Sequence, residues 1–160
     1  MKLGYLLFAI LSALLLTYAH WVEPQWIEIT EHRMSDSNQG DIKIVQLTDL
    51  HLDGNLDYES YIIEIVNNQH PALIVLSGDV IDDKANLNLL NAFLQKLPAT
   101  NIIATLGNWE YWADIDLDAL TRIYERNGVS LLVNQEKTFE IQSRKLRVIG
   151  LDDFTAGKPD

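Results

Sequence analysis

The stretch Ile42-Lys43-Ile44-Val45-Gln46-Leu47-Thr48-Asp49-Leu50-His51 decides how the chain is read. A short β-rich run, Ile42 to Leu47, stops abruptly at a carboxylate and an imidazole two residues apart. The form recurs twice downstream. Ala72 to Leu76 (ALIVL) runs into Ser77-Gly78-Asp79-Val80-Ile81-Asp82-Asp83. Asn101 to Leu106 (NIIATL) runs into Gly107-Asn108-Trp109-Glu110. The ALIVL and NIIATL runs are almost wholly apolar, the pattern of strands buried on both faces.

Between these strands lie stripes at helical spacing. Tyr58, Tyr61, Ile62, Ile65 and Val66 form the first, with Asp57 placed as N-cap. Leu87, Leu90, Phe93, Leu94 and Leu97 form the second, stopped by Pro98. Leu117, Leu120, Ile123 and Tyr124 form the third, with Gly128 as its C′ residue. Val129 to Val133 reads as a fourth strand. Lys137 to Ile141 and Leu146 to Ile149 read as a hairpin around Gln142-Ser143-Arg144. Alternating strands and helices predict an α/β layer with a largely parallel sheet. Right-handed crossovers then place the strand C-termini along one edge, where ligands bind in open α/β sheets.

Upstream, Leu3 to Ala19 is apolar apart from Gly4, Ser12 and Thr17 and carries no charge. Its length, about 25 Å as a helix, is at the short limit of a bilayer span. Tyr18 and Trp21 stand where an interfacial aromatic belt would lie. A membrane anchor over residues 1–21 is expected, with a secretory signal ending near Thr17-Tyr18-Ala19 as the competing reading. A buried core helix would be apolar all round as well, but a chain end suits lipid better. Lys2 precedes the run and no Lys or Arg follows before Arg33, which puts residues 22–160 on the extracytoplasmic side. Pro24 marks the exit. Trp26, Ile27, Ile29 and Thr30 suggest a short strand, and Ser35 to Gly40 a turn into the next one.

Composition removes several classes. A net charge of −11, with 12 Lys and Arg, argues against a nucleic-acid groove binder. The absence of Cys removes disulfides, thiolate nucleophiles and Cys-based zinc sites. An acidic protein can still process a phosphate substrate when bound cations reverse the local field.

The three strand-ending loops carry the chemistry. In an extended or turning segment Asp49 and His51 project to one side and can share an ion. Asp79 follows a glycine, and its two oxygens can bridge two cations. Asn108, also behind a glycine, offers a neutral carbonyl oxygen. This donor set suits hard to borderline divalent ions such as Mn²⁺, Fe²⁺ or Zn²⁺, of which Mn²⁺ is the leading expectation. Taken singly, each motif is ordinary turn chemistry. Their placement after three successive strands, in order, is what singles them out.

Through Asp49-x-His51, Gly78-Asp79-x-x-Asp82 and Gly107-Asn108, the chain resembles the calcineurin-like metallophosphoesterases. The anchor, Trp21-Val22-Glu23-Pro24, Gly150-Leu151-Asp152-Asp153 and Gly157-Lys158-Pro159-Asp160 look like its membrane-associated bacterial branch. The resemblance implies two facing β-sheets flanked by helices, of which this chain would hold the N-terminal βαβαβ part. It implies two divalent metal ions, with Asp49 and His51 on one, Asp79 bridging, and Asn108 on the other. Asp82 would be a supporting residue, a role for which Asp83 competes. The implied activity is hydrolysis of a phosphate ester or diester by water held between the ions, on a substrate that is nucleotide-linked or lipid-linked.

Two departures stand out. Trp109 occupies the place where the family usually has a substrate-contacting His, and an indole cannot transfer a proton at neutral pH. The family's later His and Gly-His-x-His ligands have no counterpart among His20, which flanks the anchor, and His32 and His70, which read as surface residues. Four ligands leave two metal shells unfilled, so the chain is expected to be the N-terminal portion of a longer enzyme. The half-sheet should leave strand edges and an inner face uncovered. The alternative is a non-catalytic, membrane-anchored binding protein on a truncated scaffold. Trp109, Tyr111 and Trp112 could wall a lipid or nucleoside group, or equally pack under the third helix.

Overall fold

The computed structural model describes residues 2–23, 26–34, 40–98 and 101–160. Pro24 and most of the turn expected over Ser35 to Gly40 lie outside them. The chain divides into two compact units, Met1–Asn38 and Gln39–Asp160.

In the first unit, helix α1 (Lys2–Trp21) presents an apolar surface all round. Residues 26–34 have no regular structure, so the strand expected at Trp26 to Thr30 does not form. Among the described residues no strand pairs with this segment, and an unpaired strand leaves its N–H and C=O groups to water.

The second unit is built on β1 (Ile44–Leu47), β2 (Leu73–Ser77), β3 (Asn101–Thr105) and β4 (Val129–Leu131), parallel throughout and ordered β1-β2-β3-β4. The crossovers carry α2 (Leu56–Gln69), α3 (Leu87–Leu94) and α5 (Leu117–Arg126). A short helix, α4 (Asn108–Trp112), opens directly from the loop after β3. Stepping always one way through the sheet with right-handed crossovers puts α2, α3 and α5 on one face. That face holds Ile74, Leu76, Ile102 and Ala104, all buried. Each such side chain contributes about 1.5–3 kcal/mol by leaving water, less for alanine.

The other face is covered by the hairpin β5 (Gln135–Ile141) and β6 (Arg144–Gly150). Phe139 and Ile141 pack with Leu73, Ile103 and Leu132, and Leu146 and Val148 join them. The inner face expected to lie bare is therefore sealed over Leu73 and Ile103, each 1% exposed. The two-residue turn Gln142-Ser143 has both φ angles positive, 51° and 61°, matching the twist of a tight hairpin.

Local boundaries follow their caps. Asn55, not Asp57, is the N-cap of α2: its side chain accepts the Tyr58 N–H, and Asp57 is already helical. Gly128 takes φ 71° just past α5, as a C′ glycine should.

Candidate metal centre

β1, β2 and β3 end side by side, and their loops continue the pairing beyond the sheet. Asp49 N–H donates to Gly78 O at 3.4 Å, His51 N–H to Asp79 O at 3.0 Å, and Leu52 N–H to Val80 O at 2.9 Å. This ladder brings Asp49, His51 and Asp79 together. One ligand atom from each lies within 4.8 Å of the others, close enough for a single cation to touch all three. Two carboxylates and an imidazole suit a hard to borderline divalent ion.

All three residues have left-handed backbone, with φ of 52° at Asp49, 42° at His51 and 52° at Asp79. Such conformations cost about 1–2 kcal/mol per non-glycine residue. Asp and His tolerate them better than most, and their clustering marks a site that the surroundings hold in place.

Glu110 is a large part of those surroundings. It is 1% exposed. Its carboxylate accepts the N–H groups of Gly107 at 2.8 Å, Val80 at 2.9 Å and Asp79 at 3.1 Å. One side chain thus staples the loop after β3 to the loop after β2. Glu110 has no role assigned by the strand-end pattern. Its available signal was a Glu three residues after Gly107, the far half of a capping box at the start of α4.

Glycines bring the same two loops into contact. A Cβ on Gly78 would stand 2.5 Å from Gly107 N, and one on Gly107 would collide with the Asp79 carboxylate. Asn108, half-buried at the start of α4, therefore follows a residue whose backbone touches Asp79. The backbone N–H of Trp109 donates to Asp79 Oδ1 at 2.8 Å. Thr48 Oγ1 donates to Asp49 Oδ2 at 2.6 Å.

The two adjacent acids after β2 separate. Asp82 Oδ2 lies 3.5 Å from His51 Nδ1, whereas Asp83 accepts the Ala85 N–H at 2.8 Å and caps a 3₁₀ turn. His20, His32 and His70 are exposed, and none belongs to the cluster. His70 instead ends α2 with φ 49°.

The loop after β6 is tied to the site's supporting helix. Tyr111 Oη donates to Asp152 Oδ1 at 2.6 Å. Burial, that hydrogen bond and the nearby carboxylates of Asp152, Asp153 and Glu110 push the Tyr111 hydroxyl up to about 12. Burial alone would raise the Asp152 carboxyl. Donation from Tyr111 and from the N–H groups of Lys158 and Asp153 outweighs it and lowers the pKa. Behind the site, burial and the Glu110 carboxylate raise the hydroxyl pKa of Tyr124, keeping it neutral.

The calcineurin-like phosphoesterase family model matches residues 42–154, most of the chain. The chain belongs to that family. It is 31% identical over 122 residues to the uncharacterized metallophosphoesterase YkoQ of Bacillus subtilis, covering 73% of this chain and 45% of the relative. It is 30% identical over 155 residues to the metallophosphoesterase YkuE of the same organism, covering 89% of this chain and 54% of the relative. It is 28% identical over 149 residues to the phosphodiesterase YaeI of Escherichia coli, covering 88% and 55%. The chain spans about half the length of these relatives. Calcineurin-like phosphoesterases use divalent metals, and Asp49, His51 and Asp79 are a candidate group for one.

Proposed function

We propose that the three loops form the metal-holding part of a hydrolase that cleaves phosphate esters or diesters. The convergence of Asp49, His51 and Asp79 at the C-terminal edge of a parallel sheet carries this reading. Asp49 and His51 would hold one ion, Asp79 would be shared with a second, and Asn108 would offer that second ion its amide oxygen. Asp82 orients the His51 ring from 3.5 Å. When bound, two ions such as Mn²⁺, or Fe²⁺ or Zn²⁺, would supply Lewis acidity and an activated water. The protein's own part is to fix the donors in place. Glu110 and the Gly78–Gly107 contact hold the backbone, so little reorganisation is needed when the substrate arrives.

Diesters are favoured by the relative named a phosphodiesterase. A nucleotide-linked or lipid-linked substrate fits the same chemistry. Helix α1, with Leu3–His20 apolar and long enough to cross a bilayer, serves as the membrane anchor. Residues 22–160 form the N-terminal part of the phosphoesterase domain, on the extracytoplasmic side.

Trp109 favours one other reading. No proton can come from its ring, and a non-catalytic binding protein would tolerate that loss. Hydrolysis of bis-p-nitrophenyl phosphate with Mn²⁺, by the protein translated from the whole reading frame, separates the two. The hydrolase reading expects turnover that Asp79→Ala abolishes. Turnover unaffected by Asp79→Ala would sink it.

A further inference from the structure

The short helix α4 presents two indoles to solvent. Trp112 is 59% exposed and Trp109 39%. These are high values for a residue type that is usually well buried. Packing under α5, the bland explanation for this aromatic group, requires burial that neither ring has. Tyr111 does not share the exposed position, because its hydroxyl is committed to Asp152.

The two indoles stand three residues apart on one helix turn and therefore share a side. Their centroids are 5.9 Å apart with planes at 69°. The pair forms a corner of one ring face and one ring edge. The corner adjoins the candidate ligands directly. The edge-on contact of Trp109 with the His51 ring places the centroids 5.7 Å apart, at 89°. The backbone N–H of Trp109, at the foot of that ring, donates to Asp79 Oδ1 at 2.8 Å. A phosphate that reaches Asp49, His51 and Asp79 thus has Trp109 as its neighbour.

We infer that Trp109 and Trp112 form a subsite for a flat aromatic group carried by the phosphate, such as an aryl ring or a nucleobase. This rests on the metal-centred reading above. A ring gains a stacked contact with one indole and an edge contact with the other, geometries that aromatic pairs prefer. A flexible acyl chain gains only contact area and has no use for the angle between the rings.

Isothermal titration of the Mn²⁺-loaded protein, translated from the whole reading frame, with phenylphosphonate, methylphosphonate and octylphosphonate tests it. Phenylphosphonate is expected to bind at least fivefold more tightly than methylphosphonate, and more tightly than octylphosphonate. Trp112→Leu is expected to cut the phenyl preference below twofold while leaving methylphosphonate affinity intact. Trp109→Phe, which keeps a ring, should retain most of the preference. Equal affinity for phenyl and methyl probes, tighter octyl binding, or a preference that survives Trp112→Leu would overturn the subsite alone. Failure of that protein to bind Mn²⁺ would overturn the metal-centred reading and the subsite with it.

Discussion

The backbone of Gly78 lies against that of Gly107 so closely that an added Cβ would stand 2.5 Å from Gly107 N and 2.6 Å from its Cα. This contact joins two loops whose residues are some thirty positions apart, and it sets Asp79 beside Gly107. Gly78 also has φ 87°, where L side chains are strained.

Gly78→Ala is accordingly expected to lose about 3 kcal/mol or more, since both steric overlap and left-handed strain act. Gly107→Ala should disturb Asp79 similarly. Gly128 is the control: its φ is 71°, but nothing lies within 4 Å of an added Cβ. Gly128→Ala should cost only about 1 kcal/mol. Urea denaturation midpoints of the three variants check the ranking.

Glu110 holds three backbone N–H groups in a buried position. Glu110→Ala strands all three donors, and the expected loss is about 3 kcal/mol or more. Glu110→Gln keeps the shape but turns one acceptor into a donor that faces N–H groups. A loss of about 1.5–3 kcal/mol is expected. Chemical denaturation measures both, and a change below about 0.5 kcal/mol, the usual size for an unremarkable surface substitution, would contradict the staple.

The Tyr111–Asp152 hydrogen bond has a pH signature. The Asp152 pKa is lowered in the folded protein, so its contribution is present above the unfolded value of about 4 and lost as pH falls through the folded pKa. The Tyr111 pKa is raised to about 12. Its contribution is present below the unfolded value of about 10 and lost as pH rises through the folded one. Tyr111→Phe should therefore cost about 1–2 kcal/mol across pH 5 to 9, a modest figure because Asp152 is only half-buried. The difference from wild type should shrink below about pH 4. Thermal melts across pH follow it.

Trp109→His would restore a proton donor beside the candidate centre. Alkyl leaving groups need that proton and p-nitrophenolate does not, so turnover of alkyl esters should rise by about 10²-fold. The p-nitrophenyl rate, which needs no such proton, should not rise. Steady-state rates on the two ester types give the answer.

The strand ends were readable because each apolar run stops at a glycine or an acid, and parallel topology sends those stops to one edge. The αL backbone of Asp49, His51 and Asp79 was not readable. It arises from pairing between loops, which no local pattern encodes. Glu110 escaped notice because locally it is one more acid in a polar run, while two of its three donors come from thirty residues away. Asp57 seemed the N-cap of α2 because it immediately precedes the stripe at Tyr58. The helix starts earlier, where Asn55 can accept the Tyr58 N–H. The expected strand at Trp26 to Thr30 has suitable residues but no neighbour to pair with among the described residues. β propensity alone does not make a strand.

The claim that Asp49, His51 and Asp79 form a divalent metal site is met most directly by calorimetric titration of the protein translated from the whole reading frame with Mn²⁺. Saturable binding is expected, weakened at least tenfold, or about 1.4 kcal/mol, by Asp79→Asn. Binding of equal strength in wild type and Asp79→Asn, or none in either, would contradict it.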